Sequence, residues 1–100
     1  MANVLLKMLG SVQKDRVFQA SVTVQGGSPG SDVTVTLEQK RGAEPLLGPE
    51  TKVAVVDPSG LALLLFDIKL AGPATAVLVA SAEDPAGTYY RPHAESIEVE

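Results

Sequence analysis

The sequence predicts an all-β fold: an antiparallel two-layer sandwich of about seven strands. Three observations carry this. Apolar residues recur at every second position in several stretches, the period of strands with one buried and one wet face. The same stretches are rich in Val, Thr and Ile, which suit a pleated surface. Seven prolines and nine glycines are spread along 100 residues, a density that breaks helices and bounds short strands. One domain over residues 1–100 is expected, since this length matches a single compact unit.

Strands are predicted at 3–9, 16–25, 32–40, 51–57, 61–70, 75–82 and 93–100. The first also fits a two-turn helix, with Asn3 as N-cap, Gly10 beyond its end and Val4, Leu5, Met8 and Leu9 on one face. A strand is preferred, because so short a helix has little stability of its own. In the second, Phe18, Ala20, Val22 and Val24 alternate with Gln19, Ser21, Thr23 and Gln25. Gly26 to Gly30 then joins it to the third, where Val33, Val35 and Leu37 alternate with Thr34, Thr36 and Glu38. Arg41-Gly42 and Gly48-Pro49 bound the loop before the fourth. Asp57-Pro58-Ser59-Gly60 and Asp84-Pro85-Ala86-Gly87 suit type I turns, with Asp first, Pro second and Gly fourth. Ala71-Gly72-Pro73 separates the fifth and sixth strands. Pro92 interrupts a ladder after Tyr89-Tyr90-Arg91, which predicts an edge or bulge before Ile97 and Val99 alternate with Ser96, Glu98 and Glu100.

Composition narrows the function. With no Cys there is neither a disulfide framework nor a thiolate zinc site. A net charge of −4 argues against nucleic acid as the main partner. No run approaches the roughly 20 apolar residues of a membrane span, so no membrane insertion is expected. The first ten residues lack the basic region and long apolar run of an export signal. The expectation is cytoplasmic synthesis and use there or in a virion, or the cell surface if the chain is an excised piece.

A family resemblance enters in mid-chain. Gly30-Ser31-Asp32-Val33-Thr34-Val35-Thr36-Leu37 precedes Val55-Val56-Asp57-Pro58-Ser59-Gly60-Leu61-Ala62, then Leu70-Ala71-Gly72 and the Ala/Val strand from Ala76 to Ala82. This order resembles bacterial immunoglobulin-like domains of the invasin and intimin type over residues 16–82. By analogy, free-standing sandwiches of this kind resemble accessory and decoration domains of phage heads and tails. The resemblance implies an immunoglobulin-like sandwich with a structural or binding role.

Chemistry has few candidates. His93 is the only imidazole, so no His cluster can hold a metal. No Gly-x-Ser-x-Gly elbow accompanies it, and His93 is expected to be a surface residue beside Pro92. Asp57, Glu83 and Asp84 in turns, with Asp15, are the calcium candidates. Calcium wants six or more oxygens, and no Asp-x-Asp-x-Asp-Gly string is present. Asp57 and Asp84 are better explained by their turns. Lys40-Arg41 reads as a solvated hairpin tip, and four aromatics make no stacking platform. No catalytic residue, metal or cofactor is therefore assigned, and no enzyme is expected.

The candidate interface is apolar. Ala62, Leu64, Phe66, Ile68 and Leu70 form one face of their strand. Leu61, Leu63 and Leu65 form the other, where a sandwich strand should be wet. Either they mark a contact surface, or the N-terminal segment, the Leu46-Leu47 loop or a bulge covers them. Tyr89, Tyr90 and Arg91 form a second candidate, of residue types favoured at hot spots, although tyrosine pairs also pack within sandwiches. The sequence points to a non-enzymatic interaction module, first an accessory or cement subunit of a larger assembly such as a virion, contacting a protein partner or itself. The alternatives are a spacer domain of a surface adhesin and a carbohydrate-binding accessory domain.

Overall fold

The computed structural model describes residues 2–10, 16–41, 45–47, 51–70 and 74–99. Its strands are β1 (Asn3–Leu9), β2 (Phe18–Gln25), β3 (Asp32–Arg41), β4 (Pro45–Leu47), β5 (Thr51–Val55), β6 (Ala62–Leu70), β7 (Ala74–Glu83) and β8 (His93–Val99). They form two antiparallel four-stranded sheets, β1-β2-β6-β4 and β5-β3-β7-β8. No helix occurs among the described residues. This is an all-β sandwich, consistent with the immunoglobulin-like type.

The core lies between the sheets and follows the period of two. Phe18, Ala20, Val22 and Val24 of β2 meet Ala62, Leu64, Phe66, Ile68 and Leu70 of β6 on the inner face of one sheet. Val33, Val35 and Leu37 of β3 and Ala76, Leu78 and Ala80 of β7 face them from the other. No Trp or disulfide anchors these layers, so stability rests on burying aliphatic side chains, each contributing about 1.5–3 kcal/mol. The helical alternative for residues 3–9 fails for the same reason. As a strand, Val4 and Leu6 both enter this core.

Several predicted boundaries shift, each for a local reason. β2 begins at Phe18, after exposed Arg16 and Val17. β5 ends at Val55 because Val56 turns into the core and bonds the loop after β2. Its N–H donates to Ser31 O at 3.0 Å, and its O accepts from Gly30 N–H at 2.8 Å. β6 begins at Ala62 because the backbone of Leu61 is engaged by Asp57. β4 is an added strand of three residues, too short to show a period, and pairs with β6 only at Lys69 and Leu70. Asp15, Gly42, Gly48-Pro49, Gly72-Pro73 and Glu100 lie outside the described residues.

Candidate functional site

One end of the sandwich is built by three turns. Both Asp-Pro-x-Gly turns close as expected. Gly60 N–H donates to Asp57 O at 3.0 Å, and Gly87 N–H to Asp84 O at 3.1 Å. The closing glycines have φ of 83° and 77°, a region that favours Gly. The carboxylates complete the turns. Asp57 Oδ1 accepts from Ser59 N–H at 2.9 Å and Leu61 N–H at 3.0 Å. The Leu61 bond foremost holds the Asp57 carboxyl below its ordinary range. Asp84 Oδ1 accepts from Thr88 N–H at 2.9 Å, and Oδ2 from the Tyr90 hydroxyl at 2.8 Å. These bonds, Thr88 first, lower Asp84 as well. The two acids thus serve as turn acceptors. No group of three or more metal-ligating side chains gathers among the described residues.

The Gly26–Gly30 loop closes over this end. Gly27 N–H donates to Gly60 O at 3.1 Å. A Cβ on Gly27 would lie 3.0 Å from Val56 Cγ2 and 3.3 Å from the Tyr90 hydroxyl, so no other residue fits without movement. Tyr90 is correspondingly buried. Burial first, then the Asp84 bond and charge, push its phenol up to about 12. The sequence offered Tyr89, Tyr90 and Arg91 together as contacts, and the structure separates them. Tyr90 is a core residue of this end. Tyr89 stands out at 71% exposure, and the Arg91 side chain is exposed.

His93 is not a free surface residue. The Leu6 amide donates to its Nδ1 at 3.0 Å, and its Nε2 lies 2.9 Å from Glu95 Oε1. With Nδ1 accepting, the proton sits on Nε2 and is donated to Glu95. The backbone adds two bonds, Val4 N–H to Arg91 O at 3.0 Å and Arg91 N–H to Ala2 O at 3.1 Å. Together these tie β1 to the start of β8 and frame a notch of about 300 Å³ between residues 3–5 and 91–94. The signal was present in the sequence. Extending the Ile97/Val99 alternation backwards places Glu95 and His93 on the same inward face.

The leucine surface is the remaining candidate. β6 alternates buried and exposed along its length. Leu61, Leu63 and Leu65 are 39%, 66% and 45% exposed. β1 does not cover them, since it lies beyond β2 in the same sheet. The register β2 to β6 runs unbroken from Ala62 to Ile68, so no bulge turns them inward. The side chains of Leu46 and Leu47 lie outside the described residues. Beside the leucines the outer face carries small polar Thr23 and Ser21, then Leu5 on β1 at 42%. Charges stand at its margins, with Lys7 opposite Ser21 on β1 and Asp67 beyond Leu65 on β6. A comparison with protein-family models finds no match, and one with curated proteins finds none.

Proposed function

We propose that this chain is a non-enzymatic interaction module, an accessory or cement-type subunit that docks on a larger protein assembly such as a virion. The observation that carries this reading is the row Leu61, Leu63 and Leu65, apolar and exposed on a face that should be wet. Its one histidine uses both ring nitrogens in holding strands together, and its turn acids are spent on backbone amides. These engagements favour a binding role over a catalytic one.

The test combines gene context with binding. Capsid or tail genes are expected beside the gene for this chain. The purified chain is expected to co-sediment with the particles those genes produce, and Leu63→Lys with Leu65→Lys to abolish this while circular dichroism stays unchanged. A folded parent that remains in the supernatant overturns the reading.

A further inference from the structure

We propose that a second copy of this chain pairs with the free edge of β6, so that two β6 strands run antiparallel about a two-fold axis and two sheets become one. The proposal rests on the docking reading above and names an occupant for its leucine row. Ladder parity identifies the edge. Val4 and Leu6 turn their N–H groups away from β2, towards Arg91 and His93, so the odd residues of β1 bond β2. Lys7 pairs with Ser21, and Ser21 with Leu65. The odd residues of β2 therefore bond β1, and its even residues bond β6. The odd residues of β6 then direct N–H and C=O outward. The Leu65 carbonyl bears this out, accepting from Lys52 Nζ at 2.7 Å on the side away from β2.

Among the described residues, strands and turns close that edge only at its ends, with Lys52 Nζ on the Leu65 carbonyl between them. Leu61 donates to Asp57 Oδ1 and accepts from Asp57 N–H, and β4 reaches only Lys69 and Leu70. From Leu63 to Asp67 no strand neighbours it among the described residues. The β4, β1 and β8 edges are guarded in ways that block pairing. β4 begins with Pro45, which has no amide hydrogen. β1 and β8 close on each other through Arg91 and His93, and β8 carries Glu95 and Glu98. β5 carries Lys52. On β6 the outward side chains are leucines until Asp67.

The edge is also complementary to itself. Both copies present odd residues, so a register centred on Leu64 sets Leu63 opposite Leu65 of the second copy. Leu61 then faces Asp67, and no like charges oppose one another. Val53 and Val55 on β5, each 62% exposed, stand on the outer face of the other sheet, opposite Thr34 and Asp32, and take no part in this contact. The three leucines present on the order of 270 Å² per copy, about a third of the roughly 800 Å² one partner supplies to a stable interface, so backbone pairing along the edge is the main contact and a weak dimer is expected. Lys52 sits on a flexible stem and yields the Leu65 carbonyl to the incoming strand.

Sedimentation velocity across a range of concentrations is expected to show monomer passing to dimer. Leu63→Pro removes an amide that faces solvent in the monomer, which an edge strand tolerates, and should weaken dimerisation at least about tenfold. Leu5→Lys, on the same face but two strands away, should leave the dimer intact. A parent that stays monomeric throughout overturns the proposal. So does a dimer that survives Leu63→Pro and is lost with Leu5→Lys, because the contact is then face to face. If Leu63→Pro unfolds the chain, hydrogen exchange in the parent decides. Leu63 and Asp67 amides protected more strongly at high concentration support edge pairing, and protection independent of concentration overturns it. A monomer that still co-sediments with particles defeats the dimer alone, whereas a dimer that never does so defeats the docking reading alone.

Discussion

Leu63 and Leu64 are adjacent and chemically identical, and the fold gives them opposite consequences. Leu64 is 6% exposed and packs in the core, whereas Leu63 is 66% exposed. Truncating Leu64 to Ala removes buried methyl groups from between two close-packed sheets and leaves a cavity. This should cost about 2–5 kcal/mol. For a domain whose whole stability is about 5–15 kcal/mol, that is a large share. At about 4–8 °C per kcal/mol, the thermal midpoint should fall by at least roughly 8 °C. Leu63→Ala creates no cavity in the monomer and should stay within about 0.5 kcal/mol. Urea unfolding followed by circular dichroism measures both. It should be run at low protein concentration, so that any association of the parent does not add to its stability. Comparable losses in the two variants would refute the reasoning, because Leu63 would then be covered and the outward leucine row would not exist.

Three further outcomes follow from the turn end and the β1–β8 seam. Gly27→Ala places a methyl group 3.0 Å from Val56 Cγ2 and 3.2 Å from Cγ1, and should cost about 1–3 kcal/mol through overpacking; chemical denaturation measures it. His93→Ala removes the acceptor for the Leu6 amide, a loss of about 0.5–1.5 kcal/mol, and Leu6 should exchange its amide hydrogen faster by NMR; unchanged Leu6 protection would count against the clip. The raised Tyr90 phenol binds its proton more tightly when folded. Its contribution to stability is present below 10 and is lost as pH rises towards about 12. In Tyr89→Phe, ultraviolet titration of the remaining phenol should be delayed accordingly, and Asp84→Asn should bring it earlier.

Much of this was legible because strands repeat every two residues. The alternation in Phe18–Gln25 and Asp32–Glu38 specified both the elements and the faces they bury. The Asp-Pro-x-Gly turns were readable for a different reason, since Pro and Gly carry their backbone angles with them. What stayed hidden depends on contacts between segments far apart in the chain. Tyr90 and Tyr89 are indistinguishable locally, and only the Gly27 loop and Asp84 decide that Tyr90 turns inward. His93 acquires its role from Leu6, 87 residues away. β4 was invisible because three residues cannot display a period.

The leucine row was legible as an anomaly, and the fold supplies its meaning. A sandwich has two open sides where its sheets end. Here one side is stitched by the Arg91 backbone bonds and the His93 ring between β1 and β8. The other, between β5 and β6, is crossed by the Lys52 side chain, which reaches the Leu65 carbonyl and lies 5.2 Å from the centre of the Phe66 ring. This bridge is made by a side chain in an exposed seam, where water competes for the ammonium and the carbonyl. The same flank carries Leu61, Leu63 and Leu65 on the outer face of the β6 sheet. Side-chain closure and exposed leucines therefore coincide on one flank, while the opposite flank is closed by backbone bonds and has charged neighbours. Folding alone would not require that asymmetry. A surface held in reserve for another strand would require both halves of it, an open row of amides and carbonyls for pairing and leucines beside them for burial.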